Sequence, residues 1–330
     1  MLTVLMATHN GARTLPRVLD AYCKLDRPRG GWKLVIVNNG STDDTEQILA
    51  SFAKCLPLTC IVQAEPGKNA ALNTGLANVA GDLVVLTDDD AVPNQDWLVQ
   101  FRHAADSHAS FSVFGGSIVP LWEGTPKSWM LPFYHTLSIT DPAWEEGPIV
   151  VSRIYGPNMA IRSELVQAGY RFDTALGPTG SHYQVGDETD FLQRIARAGF
   201  TAWHAKAAVV SHIIRKHQMN RRSMLGRARA LGRAMYRLDF FQYKQYLEPP
   251  PALLLGMPRY LVREILEQSL RLAKAKLLRD SDSAFRETWQ LHYLVGQAMG
   301  GRSVYREGRE NRTERDEKMS EAAGSRRVCF

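Results

Sequence analysis

Short apolar runs and helix-spaced segments take turns along the first hundred residues. Leu2–Ala7, Lys33–Val37, Leu58–Val62 and Leu83–Leu86 are mostly continuous apolar stretches, the pattern of strands covered on both faces. Thr14–Lys24, Asp43–Lys54, Asn69–Val79 and Pro93–Ser107 read as helices, and Thr42 or Asp43 stands ready to cap the second. This succession predicts an α/β fold, a mostly parallel sheet flanked by helices. Ligands of such sheets sit outside the carboxyl ends of the strands. Thr8-His9-Asn10, Asn38-Asn39-Gly40-Ser41 and Asp88-Asp89-Asp90 all fall at that edge. Packing alone does not call for three polar loops in one place.

Later segments are less regular. Phe111–Val119 reads as a further strand, and residues 120–148 as an irregular stretch rich in aromatics: Trp122, Trp129, Phe133, Tyr134 and Trp144. Such a loop is either a lid or binding wall, or a satellite core. Ser163–Gly169 and the segment opened by Gly186 and running to Ala198 predict short helices, each closed by a glycine. Thr201–His204 and Ala207–Val210 predict short strands ending at Ser211-His212. From Lys216 the pattern turns helical, Pro249-Pro250-Pro251 breaks it, and Pro258–Leu278 resumes as an amphipathic helix with interleaved basic residues. After Arg302 the chain is charged and poor in aliphatics, so residues 301–330 are expected to lack regular structure. The division expected is 1–215 (with a first part to about 110 and a second over 111–215), 216–300 as a helical C-terminal region, and the tail. No internal repeat is visible.

Composition narrows the classes. The chain has 330 residues, 45% of them apolar, which suits a soluble protein of one large or two modest domains. Its net charge of +6 is uneven: Arg215, Lys216, Arg221, Arg222, Arg227, Arg229, Arg233 and Arg237 follow one another with no intervening acid. A basic half beside an acidic cluster fits an anionic substrate or an anionic membrane surface. No nucleic-acid-binding pattern is present, so nucleic acid is not an expected partner. Cys23, Cys55, Cys60 and Cys329 lack metal-ligand spacing. No leader precedes the first strand and no run approaches a membrane span, so the expected location is the cytoplasm, with a peripheral place on the inner face of the membrane open.

The acidic triplet Asp88-Asp89-Asp90 carries the first chemistry. Carboxylates repel one another and are costly to desolvate, so a cluster at the tip of a buried strand needs a partner. A hard divalent cation, Mg²⁺ or Mn²⁺, is the readiest one, and a cation held by one or two carboxylates keeps positions open for phosphate oxygens. The competing reading is an acidic turn that caps the next helix.

Five segments in order extend this reading: Ala7-Thr8-His9-Asn10, Val37-Asn38-Asn39-Gly40-Ser41-Thr42-Asp43, Gly67–Gly75, Asp88-Asp89-Asp90 and Gly186-Asp187-Glu188-Thr189-Asp190-Phe191. Together they resemble the family 2 glycosyltransferases, inverting enzymes of the GT-A fold that use nucleotide-sugar donors. The resemblance covers roughly residues 1–215 and implies a GT-A-like nucleotide-binding sheet with a helical C-terminal extension. It implies that Asp88 and Asp90 flank the metal, Asp90 as ligand and Asp88 nearer the ribose, with Asp89 in either role. It places His212 where relatives supply a second metal or diphosphate ligand; a structural histidine is the alternative. Thr8, Asn10 and the loop Asn38–Ser41 would form the nucleobase pocket, although the family usually has Asp where this chain has Asn38. Lys68 would meet phosphate, or stand as a solvated lysine at a helix start, and Asn73 would meet the donor or loop backbone.

Inversion needs a general base at the acceptor hydroxyl. By register Glu188 takes that position and Asp187 is the substitute, since the usual Glu–Asp order is reversed here. Helix capping by Asp187, with Asp190 in the first turn, is the competing role. Gly156-Pro157-Asn158-Met159-Ala160 resembles the family's segment beside the acceptor site. Gln218-x-x-Arg221-Arg222 resembles an element of processive synthases but lacks its tryptophan, so processivity is not expected. The expected activity is metal-dependent transfer of one sugar to a hydroxyl on a glycan or lipid-linked acceptor. A sugar-phosphate nucleotidyltransferase and a non-catalytic sugar-binding relative are the alternatives.

Overall fold

The computed structural model describes residues 1–177, 185–242 and 251–325. The chain divides into two compact units, Met1–Asn220 and Arg221–Phe330, where the onset of the basic helical run had placed the division after residue 215.

The first unit opens with β1 (Leu2–Thr8), α1 (Leu15–Tyr22), β2 (Trp32–Asn39), α2 (Thr45–Phe52), β3 (Leu58–Gln63), α3 (Lys68–Leu76) and β4 (Leu83–Asp88). It continues with β5 (Ala91–Pro93), α4 (Trp97–Ser107), β6 (Val113–Trp122), β7 (Gly147–Ile149), β8 (Asn158–Arg162), α5 (Ser163–Gln167), α6 (Asp187–Arg197) and β9 (Ala202–Ile214). All nine strands join one sheet in the order β3-β2-β1-β4-β8-β6-β9-β5, with β7 alongside β9. The first four of that order are parallel, β8 runs against both β4 and β6, and β9 runs with β6. The sheet is therefore mixed, with β5, β7 and β8 reversed relative to the other strands.

The apolar runs are continuous because both faces are covered. Leu2, Val4 and Met6 of β1, Leu34 and Ile36 of β2, and Leu83 and Val85 of β4 pack with α1, α2 and α4. The alternate positions Leu5, Val35, Val37, Val84 and Leu86 pack with α3, α5 and α6 on the other face. Sheet period and two helix layers thus account for every aliphatic position in these strands.

Several local expectations change. The helix expected from Pro93 begins at Trp97, because Ala91–Pro93 is taken up as β5 against β9. The two short strands expected between Thr201 and Val210 are one strand, β9, with a register shift opposite Gly116/Ser117 of β6. Residues 120–148 hold a 3₁₀ helix, Ser128–Leu137, whose Trp129, Met130, Phe133 and Leu137 are buried.

The second unit contains α7 (Arg221–Gln242), a small hairpin of β10 (Leu253–Leu254) and β11 (Met257–Pro258), α8 (Arg259–Leu277) and α9 (Ser281–Ser325). Pro249 and Pro250, expected to break the helical run, lie outside the described residues. Tyr236, Leu261, Ala298 and Val304 form its core. The α7–α9 crossing is close: a Cβ on Gly296 would lie 2.1 Å from the Arg229 carbonyl oxygen, and one on Gly232 2.0 Å from that of Tyr293. Glycine is what lets the two backbones approach. The charged stretch after Arg302, expected to lack regular structure, is helical through Ser325 as the continuation of α9. A helix already nucleated by its packed first half extends at little further cost.

Candidate active site

Three parallel strands deliver the polar loops to one edge. At the end of β1, Thr8 is buried and its hydroxyl donates to Asp89 Oδ2 at 2.5 Å. The turn beyond it needs glycine, because a Cβ on Gly11 would lie 2.4 Å from Thr8 Oγ1 and 2.7 Å from Asp89 Oδ2. Asn10, at φ 53°, accepts from Thr42 N–H with its side-chain oxygen at 2.8 Å, and its own N–H donates to Ser41 Oγ at 2.9 Å. At the end of β2, Asn38 Oδ1 accepts from Ser41 N–H at 3.2 Å. Asn39, which the sequence did not single out, ties the same loop to the next one, donating to the Glu65 carbonyl at 2.6 Å and accepting from Gly67 N–H at 2.8 Å. The amides of Asn10 and Asn38 therefore shape the rim of the pocket by bracing its loops.

The third strand, β4, ends at Asp88. Lys68, the first residue of α3, places its Nζ 2.8 Å from Asp88 Oδ1 and 3.0 Å from Glu188 Oε1. One ammonium thus links the acidic triplet to the acid at the start of α6. Burial opposes the charge on Lys68, but Asp88, Glu188 and Asp187 together raise its pKa well above the ordinary lysine range. Burial raises the Asp88 pKa, with Asp90 and Glu188 adding to it and Lys68 opposing. Asp89 is pushed up to about 7 by burial and then by Asp90.

The β5–β9 pair sets the rest. It puts Ala91 opposite His212, and Ile213 N–H donates to the Asp90 carbonyl at 2.9 Å. His212 Nε2 then stands 3.3 Å from Asp90 Oδ1, and Arg215 Nη2 stands 3.5 Å from Asp90 Oδ2. His212 Nδ1 lies 2.9 Å from the Leu137 carbonyl, which only accepts, so Nδ1 carries a proton and Nε2 faces the carboxylate. Burial raises the Asp90 pKa, but the hydrogen bond and charge of His212 outweigh it and the net shift is downward.

A carboxylate oxygen and an imidazole nitrogen presented side by side are suitable donors for one divalent ion. Among the described residues no three His, Cys, Asp or Glu side chains form a ready-made metal cage. Asp90 and His212 are thus an incomplete donor set, of the kind that leaves positions for phosphate oxygens. Residues and group fit, with Asp88 committed to Lys68.

At the start of α6, Asp187 is buried and its Oδ2 has no hydrogen-bond partner. Burial, with Glu188 beside it, raises the Asp187 pKa well above the usual carboxylate range. Burial works against ionisation of Glu188 too, yet Lys68 and a hydrogen bond with Asp187 bring it down to about 2. The pair is shifted in opposite directions, Asp187 upward and Glu188 downward. The N-cap is Gly186, at φ 106°, so neither acid caps α6. Gly156 lies directly beneath Glu188, where a Cβ would come within 2.4 Å of Oε1.

Asn73, expected to meet the donor or loop backbone, meets backbone, and Asn158 belongs to the segment expected beside the acceptor site. Asn73 spends both ends of its amide on the Phe172 backbone, donating to its carbonyl at 2.8 Å and accepting from its N–H at 2.9 Å. Asn158 is fully buried, accepting from Trp97 Nε1–H and donating to the Ser117 and Ala208 carbonyls, each at 2.8 Å. Both hold the walls of the site. Arg215 was read only as part of the basic run; its place directly after β9 was the signal that it faces the triplet.

These features, a nucleotide-binding type of α/β sheet with its acids at the carboxyl edge, define the GT-A class of fold. The description "Glycosyl transferase family 2" matches residues 3–169, just over half of the chain. The chain belongs to glycosyltransferase family 2. It is similar to glycosyltransferase AglE of Haloferax volcanii, with 23% identity over 213 residues, 64% of this chain and 66% of that protein. It is also similar to a dolichyl-phosphate beta-glucosyltransferase, ALG5A, of Trichomonas vaginalis, at 31% over 103 residues, 29% of this chain and 32% of that protein. Among solved structures it resembles the mannosyltransferase PcManGT from Pyrobaculum calidifontis, in complex with GDP-Man and Mn²⁺. There the TM-score is 0.58 and the identity 22%, over 91% of this chain and 86% of the other.

Proposed function

We propose that this chain is an inverting, divalent-metal-dependent glycosyltransferase that moves one sugar from a nucleotide-diphosphate donor to a hydroxyl acceptor. The observation that carries the reading is the Lys68 bridge between Asp88 and Glu188, which brings the donor-side acids and the acceptor-side acid within one side chain of each other. The solved relative named above contains GDP-Man and Mn²⁺, which supports the donor class and the metal.

In this reading the nucleoside lies along the rim formed by Thr8, Asn10, Asn38 and Ser41, with Asp88 toward the ribose. Asp90 and His212 would hold Mg²⁺ or Mn²⁺, which when bound supplies positive charge to the diphosphate as it leaves. Lys68 and Arg215 add fixed positive charge on the same side. Glu188, ionised in the resting protein, accepts the acceptor hydroxyl proton as that oxygen attacks the anomeric carbon. The bond from that carbon to the phosphate oxygen breaks on the opposite side and its electron pair leaves with the diphosphate. Asp187, neutral, orients Glu188. The acceptor is a glycan or lipid-linked hydroxyl; the relative named for dolichyl phosphate supports a lipid as the acceptor's carrier, not the hydroxyl itself.

The test is incubation of the full chain with UDP-, GDP-, dTDP- and CMP-linked sugars and Mn²⁺, following nucleotide release and the anomeric configuration of the product. One donor is expected to be turned over with inversion, and EDTA to abolish it. Retention of configuration, or undiminished turnover by Glu188→Gln, would overturn the reading.

A further inference from the structure

The outward face of α8 carries an apolar row that the fold leaves uncovered. Leu266, Leu270 and Leu277 are 63%, 72% and 83% exposed, and the neighbouring Leu278 is 68% exposed. Leu266, Leu270, Ala273 and Leu277 recur at helical spacing and form one stripe, with Leu278 just past the helix end. The stripe is not the face that α8 uses for its own packing. That face is Leu261, buried in the core with Tyr236 and Ala298, and Gln268, whose amide donates to the Glu287 carbonyl at 3.1 Å.

Basic side chains border the stripe. Between Arg259 and Arg279 there are six Lys or Arg (Arg259, Arg263, Arg271, Lys274, Lys276, Arg279) against two acids, Glu264 and Glu267. Glu267 is already engaged, 2.8 Å from Arg263 Nε and 3.8 Å from Arg271 Nη2. From Leu270 to Arg279 there is no acid at all. No helix among the described residues is long and apolar enough to cross a membrane. A segment of this kind lies in the plane of a bilayer surface, with leucines at the boundary of headgroups and acyl chains and cations among the phosphates.

We propose that the outward face of α8 docks on a bilayer surface rich in anionic headgroups. Charge complementarity selects this occupant over a second copy of the chain. Self-pairing along the leucine row would bring together two helices that each carry six basic residues against two acids, and this shared positive charge opposes association. An anionic surface instead meets those cations with opposite charge at the depth where the leucines enter. The apolar and basic elements act together, since one alone gives only marginal, reversible binding. The inference goes beyond the transfer reaction and does not depend on it.

The test is flotation of the full chain, at low salt, with vesicles of equimolar phosphatidylcholine and phosphatidylglycerol, beside vesicles of phosphatidylcholine alone. Wild type is expected to float with the anionic vesicles, to stay down with the neutral ones and to be released by high salt. The triple variant Leu266→Ser, Leu270→Ser, Leu277→Ser and the charge variant Lys274→Glu, Lys276→Glu are each expected to lower vesicle partitioning on the order of tenfold or more. All five positions are outside the core, so circular dichroism and thermal unfolding should match wild type. The inference is overturned if wild type does not float with anionic vesicles, or floats equally with neutral ones. It is also overturned if the leucine variant floats as wild type does. Sedimentation velocity adds the last outcome: a wild-type dimer that the leucine variant makes monomeric, without flotation, would assign the face to a second copy instead.

Discussion

Lys68 is the residue on which the proposed chemistry turns, because its ammonium touches both halves of the site. Removing one partner of this partly buried ion pair leaves two carboxylates without their shared cation. Lys68→Met is therefore expected to lose both donor binding and thermal stability, the latter read by calorimetry at neutral pH. Glu188→Gln keeps the shape of the side chain and removes the proton acceptor. Its expected effect is a drop in kcat of about 10²–10⁴ with little change in donor affinity, measured by steady-state kinetics. Gly11→Ala places a carbon where Thr8 Oγ1 and Asp89 Oδ2 lie, so nucleotide-dependent stabilisation should fall while far-ultraviolet circular dichroism stays native. Most of these residues were legible in the sequence as types in an order. Their partners were not: Thr8 was read for the nucleobase pocket, and its hydroxyl is spent on Asp89.

At the scale of elements, α4 is clamped to the sheet edge by Arg102, which is buried and reaches Asp82 Oδ2 at 2.7 Å and Asp106 Oδ1 at 2.6 Å. Burial raises the Asp82 pKa, yet the Arg102 hydrogen bond and charge prevail and hold it below its ordinary value. A depressed carboxylate stabilises the fold above its unfolded pKa, about 3.9, and that contribution is lost as pH falls through the folded value. Asp82→Asn should thus be less stable than wild type at pH 6, with the difference closing below about pH 4, as followed by denaturant titration at several pH values. At the crossing of α7 and α9, Gly296→Ala pushes a methyl group against the Arg229 carbonyl, with an expected loss of about 1–3 kcal/mol in the second unit. The periodicity located the helices and the strands β1 to β4, β6 and β9, but not β7, β8, β10 or β11. It did not find β5, whose three residues are held by pairing with β9 rather than by their own pattern. Nor did the sequence distinguish the two roles open to residues 120–148. Trp129, Met130 and Phe133 are buried there, and the Leu137 carbonyl fixes the ring of His212.

For the whole molecule, a ligand that binds only the folded chain raises its stability by mass action, about 2.7 kcal/mol at a hundredfold excess over Kd. The nucleoside diphosphate of the true donor, with Mn²⁺, is expected to raise the midpoint of thermal unfolding by several degrees, and the other nucleotides to leave it unchanged. That shift should vanish in EDTA and in Asp90→Asn, which keeps the fold and removes a charge from the donor set. The apolar runs and the helical spacing determined the α/β class, the two-sided burial of the first sheet strands and the edge at which chemistry gathers, because these follow from the local periods of strand and helix. The acids and Lys68 were visible as charges in suggestive places. Which of them meet was decided only by tertiary structure. Lys68 touches Glu188, and Asp90 touches His212, across more than a hundred residues of chain. Such contacts depend on strand order and on the pairing of β5 with β9, which no local pattern encodes.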